Sequence, residues 1–373
     1  MIALTRSDES IFSHWWWTID RWMLAFIAAL IIFGIILVQA ASPAIAEARG
    51  FDKFHFVRNY LLFLVPVIVG MAVLSMQSLR TIRLIAFAIL PLGVIGVALT
   101  LVFGAEVKGA TRWLHLPGLS MQPSEFVKPA LTVIAAWLFA RHREKRGFPA
   151  LGANIILYGF VTGLLLLQPD FGMSMLVSVV WFGQFFLAGL PLALVGISII
   201  LLLGGGVGAY FIFPHVHRRI DRFLDPASGD NYQVDRAMEA FMNGGMFGTG
   251  PGQGTVKMSL PDAHCDFIFA VAGEELGLIS CLIIVLLYAM IVLRGLWRLR
   301  REQNLFVVLA GSGLLLQFGF QAIINMASTL HLMPTKGLTL PFISYGGSSL
   351  FALSLQMGML LALTRKRYGT GET

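Results

Sequence analysis

Uncharged runs of about 20 residues, separated by short polar segments, recur along most of this chain. A hydrocarbon core about 30 Å thick takes roughly 20 apolar residues in a helix, so each run reads as a membrane span. Ten spans are expected, at residues 22–41, 56–76, 84–103, 125–139, 151–168, 171–188, 191–213, 266–294, 305–328 and 345–364. The stretch 171–217 holds no Asp, Glu, Lys or Arg. As one helix it would extend about 70 Å, so it must fold back, and Gly189-Leu190-Pro191 is the natural break. The sequence Ala40-Ala41-Ser42-Pro43-Ala44-Ile45-Ala46 imitates a signal-peptidase site. The run before it exceeds the roughly 7–15 residues of a signal peptide's apolar region, so the first span is read as uncleaved.

Composition agrees with the pattern. Hydrophobic residues make up 57% and charged residues 13% of the 373, against about 45–50% and about 25% in soluble domains. The whole chain, 1–373, is therefore read as one all-α polytopic membrane domain. The net charge of +7 is spread in short runs between spans, which argues against nucleic acid and for a role in orientation. Fifteen of the 27 Lys and Arg fall on the side of the termini and twelve on the other, five of those twelve in one long loop. Positive-inside then places both termini in the cytoplasm. The outer side carries the long connections, 104–124 and above all 214–265. Loops of that length in a compact domain are usually functional. Cys265 and Cys281 are expected on one helix about 24 Å apart, too far for a disulfide, and no Cys/His cluster has metal-ligand spacing.

Candidate chemistry gathers at the outer helix ends. The eight His lie in loops or at span ends, and the spans lack charged groups near mid-membrane, so an ion-coupled carrier with an intramembrane relay is disfavoured. In Gln122-Pro123-Ser124-Glu125-Phe126-Val127-Lys128 a helix starts near Pro123. Glu125 and Lys128, three apart, share a face, either as a capped end with a snorkelling Lys or as an ion pair lining an outward pocket. Asp266 stands where a polar loop becomes an apolar helix, either as an N-cap or as a general base. The run from Gly244 to Gly254 matches no nucleotide-binding spacing and reads as tight reversals rather than a phosphate cradle. Arg218, Arg219 and Arg222 are cations suited to a pyrophosphate.

Several motifs, in order, resemble the SEDS family (shape, elongation, division and sporulation) over the whole chain. They are Arg112-Trp113, Gln122-Pro123-Ser124-Glu125 with Lys128, Gln168-Pro169-Asp170-Phe171-Gly172, Phe223-Leu224-Asp225-Pro226 and Asn243-Gly244-Gly245. Asp266-Phe267-Ile268-Phe269-Ala270 with Glu274-Glu275-Leu276-Gly277 follows, and then Pro341-Phe342-Ile343-Ser344-Tyr345-Gly346-Gly347. The resemblance implies ten spans, cytoplasmic termini in the bacterial inner membrane and a large periplasmic loop between spans seven and eight. It also implies a glycosyltransferase joining lipid II, the undecaprenyl-pyrophosphate-linked disaccharide-pentapeptide, into peptidoglycan strands. Asp266 matches the family's essential outer acid, and Glu125 with Lys128 its ion-pair motif. Arg112, Arg218, Arg219, Arg222, Lys336 and Ser344 are the supporting candidates. Leu332-Met333-Pro334-Thr335-Lys336-Gly337 and Pro261-Asp262-Ala263-His264 are similar to the division-type member, although Cys265 replaces a more usual Thr. A class B penicillin-binding protein and other division-site membrane proteins are the implied partners, with location at the septum. No cofactor is called for by the residues. A divalent cation such as Mg is the alternative to Arg and Lys for stabilising the leaving group. An elongation-type polymerase, a lipid II flippase and a non-catalytic scaffold are the competing readings.

Overall fold

The structure, a computed structural model, describes residues 11–107, 110–116, 119–144, 149–189, 196, 200, 204–208, 210–211, 216–217, 220–221, 223, 232–334 and 337–366. After a short helix α1 (Ile11–Thr18), the long helices are α2 (Arg21–Ala48), α3 (His55–Ser75), α4 (Leu79–Phe103), α5 (Pro123–Arg143), α6 (Ala150–Leu167) and α7 (Phe171–Leu187). They are followed by α8 (Tyr232–Gly244), α9 (Ile268–Leu299), α10 (Leu305–Thr329) and α11 (Gly347–Leu363). Among the described residues six helices are long and apolar enough to cross a membrane, and α7 and α11 are shorter apolar helices. Helix α5 has the length of a span but carries Glu125 and Lys128. Nine of the expected spans thus have a helix; the expected seventh, 191–213, falls largely outside the described residues.

Local chemistry sets the ends. Asp20 accepts from the amides of Trp22 and Met23 to cap α2, Ser78 caps α4, Asp170 caps α7 and Asn304 caps α10. At the end rich in basic residues, buried Asp20 also takes Arg294 Nε at 2.9 Å and Arg298 Nε at 2.6 Å, tying α2 to α9. Burial pushes this carboxyl up, but the bonds from Arg298 and Arg294 outweigh it and hold the group below the usual carboxylate range. Lys366 N donates to Thr18 O at the same end.

Helix α10 is the central post. Of its most apolar stretch 72% is buried, against 22–39% in the other five span-length apolar helices. It packs on α5, α7, α9 and α11. Because lipid tails are as apolar as Leu, such helices are held by close packing and polar links. Gln317 Nε2 donates to Gln356 Oε1 of α11, Thr132 of α5 donates to Gln317 Oε1, and Gln184 of α7 donates to Thr132 O and Leu309 O. Each such link contributes about 0.6 kcal/mol on average.

The structure departs from the sequence reading in three places. Residues 104–124, expected as loop, contain a three-stranded antiparallel meander of β1 (Ala105–Val107), β2 (Ala110–Leu116) and β3 (Leu119–Met121). The large loop contains α8, which buries Val234, Ala237 and Ala240 and packs on α9. The expected continuous helix 266–294 starts at Ile268 and is interrupted at Gly277, whose φ of 78° and ψ of 178° are non-helical. A Cβ there would run into the backbone of Gly248 and Met246, so both the angle and the space require Gly. The one-helix ground for keeping Cys265 and Cys281 apart therefore lapses, although both are free thiols. Glu274 and Glu275, inside the expected span, belong to the short helical segment before this break.

Candidate active site

Asp266 lies just before the N-terminus of α9, at the opposite end of that helix from Arg294 and Arg298, and is half-buried. Residues 261–267 are still in turns, the cap position falls on Phe267, and among the described residues no side chain is seen to cap α9. The N-cap reading of Asp266 is thereby corrected: the first free helix amides lie beyond it. Its backbone is instead pinned from neighbouring elements. Asn325 Nδ2, on α10, donates to Asp266 O at 2.9 Å and to Leu338 O at 2.7 Å. Ser344 Oγ donates to Cys265 O at 2.6 Å and accepts from Leu340 N, while Tyr345 N donates to His264 O. The segment 337–346 is thus the other wall of the site. A Cβ on Gly337 would come within 3.3 Å of Asp266 Oδ2. In this segment Phe342 holds a φ of 61°, rarely entered by a bulky residue, with its carbonyl bonded by Tyr60 OH and that of Pro341 by Tyr288 OH.

Glu125 and Lys128 pair at 2.9 Å with side-chain exposures of 7% and 2%, so the pair is buried rather than open to solvent. Lys128 Nζ also donates to Gln321 Oε1 at 3.0 Å, and Gln321 Nε2 donates to Thr339 O. A continuous polar path therefore runs from the ion pair through Gln321 to Thr339, next to Leu338, whose carbonyl accepts from the same Asn325 Nδ2 as that of Asp266. Sequence reasoning missed Gln321 and Asn325. Their signal was the spacing of Gln317, Gln321 and Asn325, four apart on one face of an apolar helix.

The other candidates separate. Arg112, on β2, donates to Pro169 O at 2.6 Å and pairs with Asp170 at 3.4 Å, joining the meander to the α6–α7 turn. Arg218, Arg219, Arg222 and Lys336 lie outside the described residues. The Gly run forms reversals, with positive φ at Gly245, Gly248, Gly250 and Gly252, and the amides of Thr249, Gly250 and Gly252 are directed to Glu274 and Glu275. Among the described residues no three His, Cys, Asp or Glu gather as a metal site.

His264, two residues before Asp266, is buried against Phe56 and Tyr345. Burial pushes its pKa down to about 4, helped by the charge of Arg49 and opposed by Asp262; Arg49 and Asp262 themselves pair at 3.4 Å. The ring is therefore neutral near pH 7.

Comparison with known proteins follows the same architecture. The FtsW/RodA/SpoVE cell cycle proteins match residues 21–369. A probable peptidoglycan glycosyltransferase FtsW of Caulobacter vibrioides is 45% identical over 370 residues, covering 98% of this chain and 94% of the relative. One from Coxiella burnetii is 33% identical, covering 93% and 96%. The rod shape determining protein RodA of Thermus thermophilus superposes with a TM-score of 0.69 at 27% identity, over 95% of this chain and 99% of that one. A chain from a peptidoglycan synthase complex that coordinates polymerization and crosslinking superposes with a TM-score of 0.75 at 29% identity, over 94% and 99%.

Proposed function

Because the chain belongs to the FtsW/RodA/SpoVE family of cell cycle proteins, we propose that it is a peptidoglycan glycosyltransferase that polymerises lipid II at the outer face of the bacterial inner membrane, for septal wall synthesis. The observation that carries this is Asp266: a half-buried carboxylate at the outer end of a membrane bundle, its backbone fastened by Asn325 and its flanking residues by Ser344 and Tyr345. Its depth suits a substrate whose polyprenyl tail stays in the bilayer while its sugars stand at the interface.

The acceptor hydroxyl gives its proton to Asp266 as its oxygen attacks the anomeric carbon. The bond to the pyrophosphate breaks, and that group leaves with the electron pair. One carboxylate with direct displacement inverts the anomeric carbon. The substrate carries its own leaving group, so no nucleotide is consumed outside the cell. Cations offset the charge growing on the pyrophosphate, and Arg218, Arg219, Arg222 and Lys336 are assigned to that task. A divalent cation such as Mg would supply the same charge. The buried Glu125–Lys128 pair is assigned a supporting role, bracing the 337–346 wall through Gln321.

The distribution of Lys and Arg supports cytoplasmic termini, with the Asp20–Arg294–Arg298 cluster then at the inner face. A single-span class B penicillin-binding protein, the crosslinking transpeptidase, is the proposed partner, together with other division-site membrane proteins; the structural match to a peptidoglycan synthase complex supports it. Purified protein given lipid II should form glycan strands. A protein that moves lipid II across vesicles without joining it would make the flippase reading correct instead. Depletion should give filaments with unfinished septa, whereas round cells that still divide would assign the elongation role.

A further inference from the structure

Two buried glutamates beside the site take no part in the chemistry above. Glu274 is 0% exposed and Glu275 1%, and a buried carboxylate is costly unless it is paired and hydrogen-bonded. Glu274 Oε1 accepts from Thr255 N at 2.8 Å, Val256 N at 2.8 Å and Asn243 Nδ2 at 2.9 Å, and its Oε2 accepts from Lys257 N at 2.9 Å. Glu275 pairs with Lys257 Nζ and accepts from Gly252 N. Their backbone carbonyls take Thr249 N and Gly250 N. One pair of adjacent residues thus gathers the end of α8, the Gly run and the turn Val256–Ser259.

The position of this gathering point matters because of the break at Gly277. Residues 268–276 are cut off from the long part of α9 by non-helical backbone, so the membrane-spanning part does not fix their direction. Asp266 stands at their leading end. On one side Asn325 holds its carbonyl and Ser344 holds that of Cys265; on the other the chain runs directly into the short helix.

We propose that Glu274 is a positioning residue for Asp266, fixing the 268–276 helix and through it the carboxylate at its leading end. This rests on Asp266 being the general base. Glu274→Gln preserves size but turns one acceptor oxygen into an NH2 group. Whichever way the amide lies, that NH2 faces at least one N–H donor, so the helix must shift. A displacement of about 1 Å can cost on the order of 10²-fold in rate.

The test measures lipid II polymerisation over a range of lipid II concentrations by purified wild type, Asp266→Asn, Glu274→Gln and the double variant. Glu274→Gln should lower kcat at least about tenfold with KM within about twofold of wild type, at unchanged monodispersity. In the Asp266→Asn background it should cost little more, because residues acting through one another are not additive. A wild-type kcat, or a loss that multiplies fully onto that of Asp266→Asn, overturns the proposal. A wild-type rate in Asp266→Asn overturns the general base and this inference with it. An inactive Asp266→Asn beside a wild-type Glu274→Gln overturns this inference alone. Should Glu274→Gln not purify as a monodisperse protein, Asn243→Ala decides, since it removes one of the four donors: a lowered kcat at unchanged KM supports the proposal, and a wild-type kcat sinks it.

Discussion

Asn325 fastens Asp266: its single Nδ2 donates to the Asp266 carbonyl at 2.9 Å and to the Leu338 carbonyl at 2.7 Å. The central helix α10 thereby joins the two chain segments that face each other across the site. Asn325→Leu should leave both carbonyls without this donor, at about 1–3 kcal/mol for each group stranded from water. The expected result is a lower melting temperature and reduced polymerisation together. Wild-type activity in Asn325→Leu would show that the two segments keep their places without the bridge.

The Glu125–Lys128 pair invites a double-mutant cycle. Each single Ala variant strands a buried charge, and breaking a buried pair costs about 3–5 kcal/mol. Glu125→Ala and Lys128→Ala should each impair polymerisation, and the double variant should lose less than the sum of the two because the partners are in contact. Rates and melting temperatures of all four proteins check this. Fully additive losses would mean that the two residues act separately.

His264 sets a pH limit on the turn that leads into Asp266. Its pKa falls from 6.5 to about 4 on folding, so between those values the unfolded chain binds the proton more readily than the folded one. Stability from this group is complete above pH 6.5 and is lost as pH falls toward about 4. The groups facing the ring, Arg49, Asp262, Phe56 and Tyr345, offer the imidazolium one partly exposed carboxylate, which is already paired with Arg49. The melting temperature of the wild type should therefore drop across that window, and His264→Phe should flatten the drop. Asp20, whose carboxyl is held low, releases its own contribution only in more acidic solution. An unchanged slope in His264→Phe would assign the acid sensitivity to other groups.

What the sequence disclosed followed from where its signals live. The bounds of α3 and α10 were readable because charges or helix caps stop their apolar runs, as Asn304 does for α10. Asp266 was readable because it stands at a change from polar loop to apolar helix. The break at Gly277 was not, since the apolar pattern continues through Leu278 and Ile279 and carries no trace of a backbone angle. Helix α8 was hidden because its buried face is built largely from Ala237, Ala240 and Gly244, which barely register as apolar. Asn325 and Gln321 escaped because attention to charge passes over neutral amides, although in a membrane bundle these are the groups that need partners.

Asp266→Asn is the variant that decides the chemistry. It keeps the side chain's shape and leaves the backbone anchors of Asn325, Ser344 and Tyr345 in place, while removing charge and basicity. Since the carboxylate does not cap α9, the substitution has no helix end to destabilise, and membrane level and melting temperature should stay at wild type. Polymerisation should fall roughly 10²–10⁴-fold, the usual contribution of a positioned general base, or about 3–5 kcal/mol in the barrier. The measurement is lipid II polymerisation by matched amounts of purified wild-type and Asp266→Asn protein. Activity within about threefold of wild type, less than 1 kcal/mol in the barrier, removes Asp266 from the reaction. Glu125 would then be the next carboxylate to test, and it would need a conformational opening first, because Lys128 and the surrounding helices now bury it.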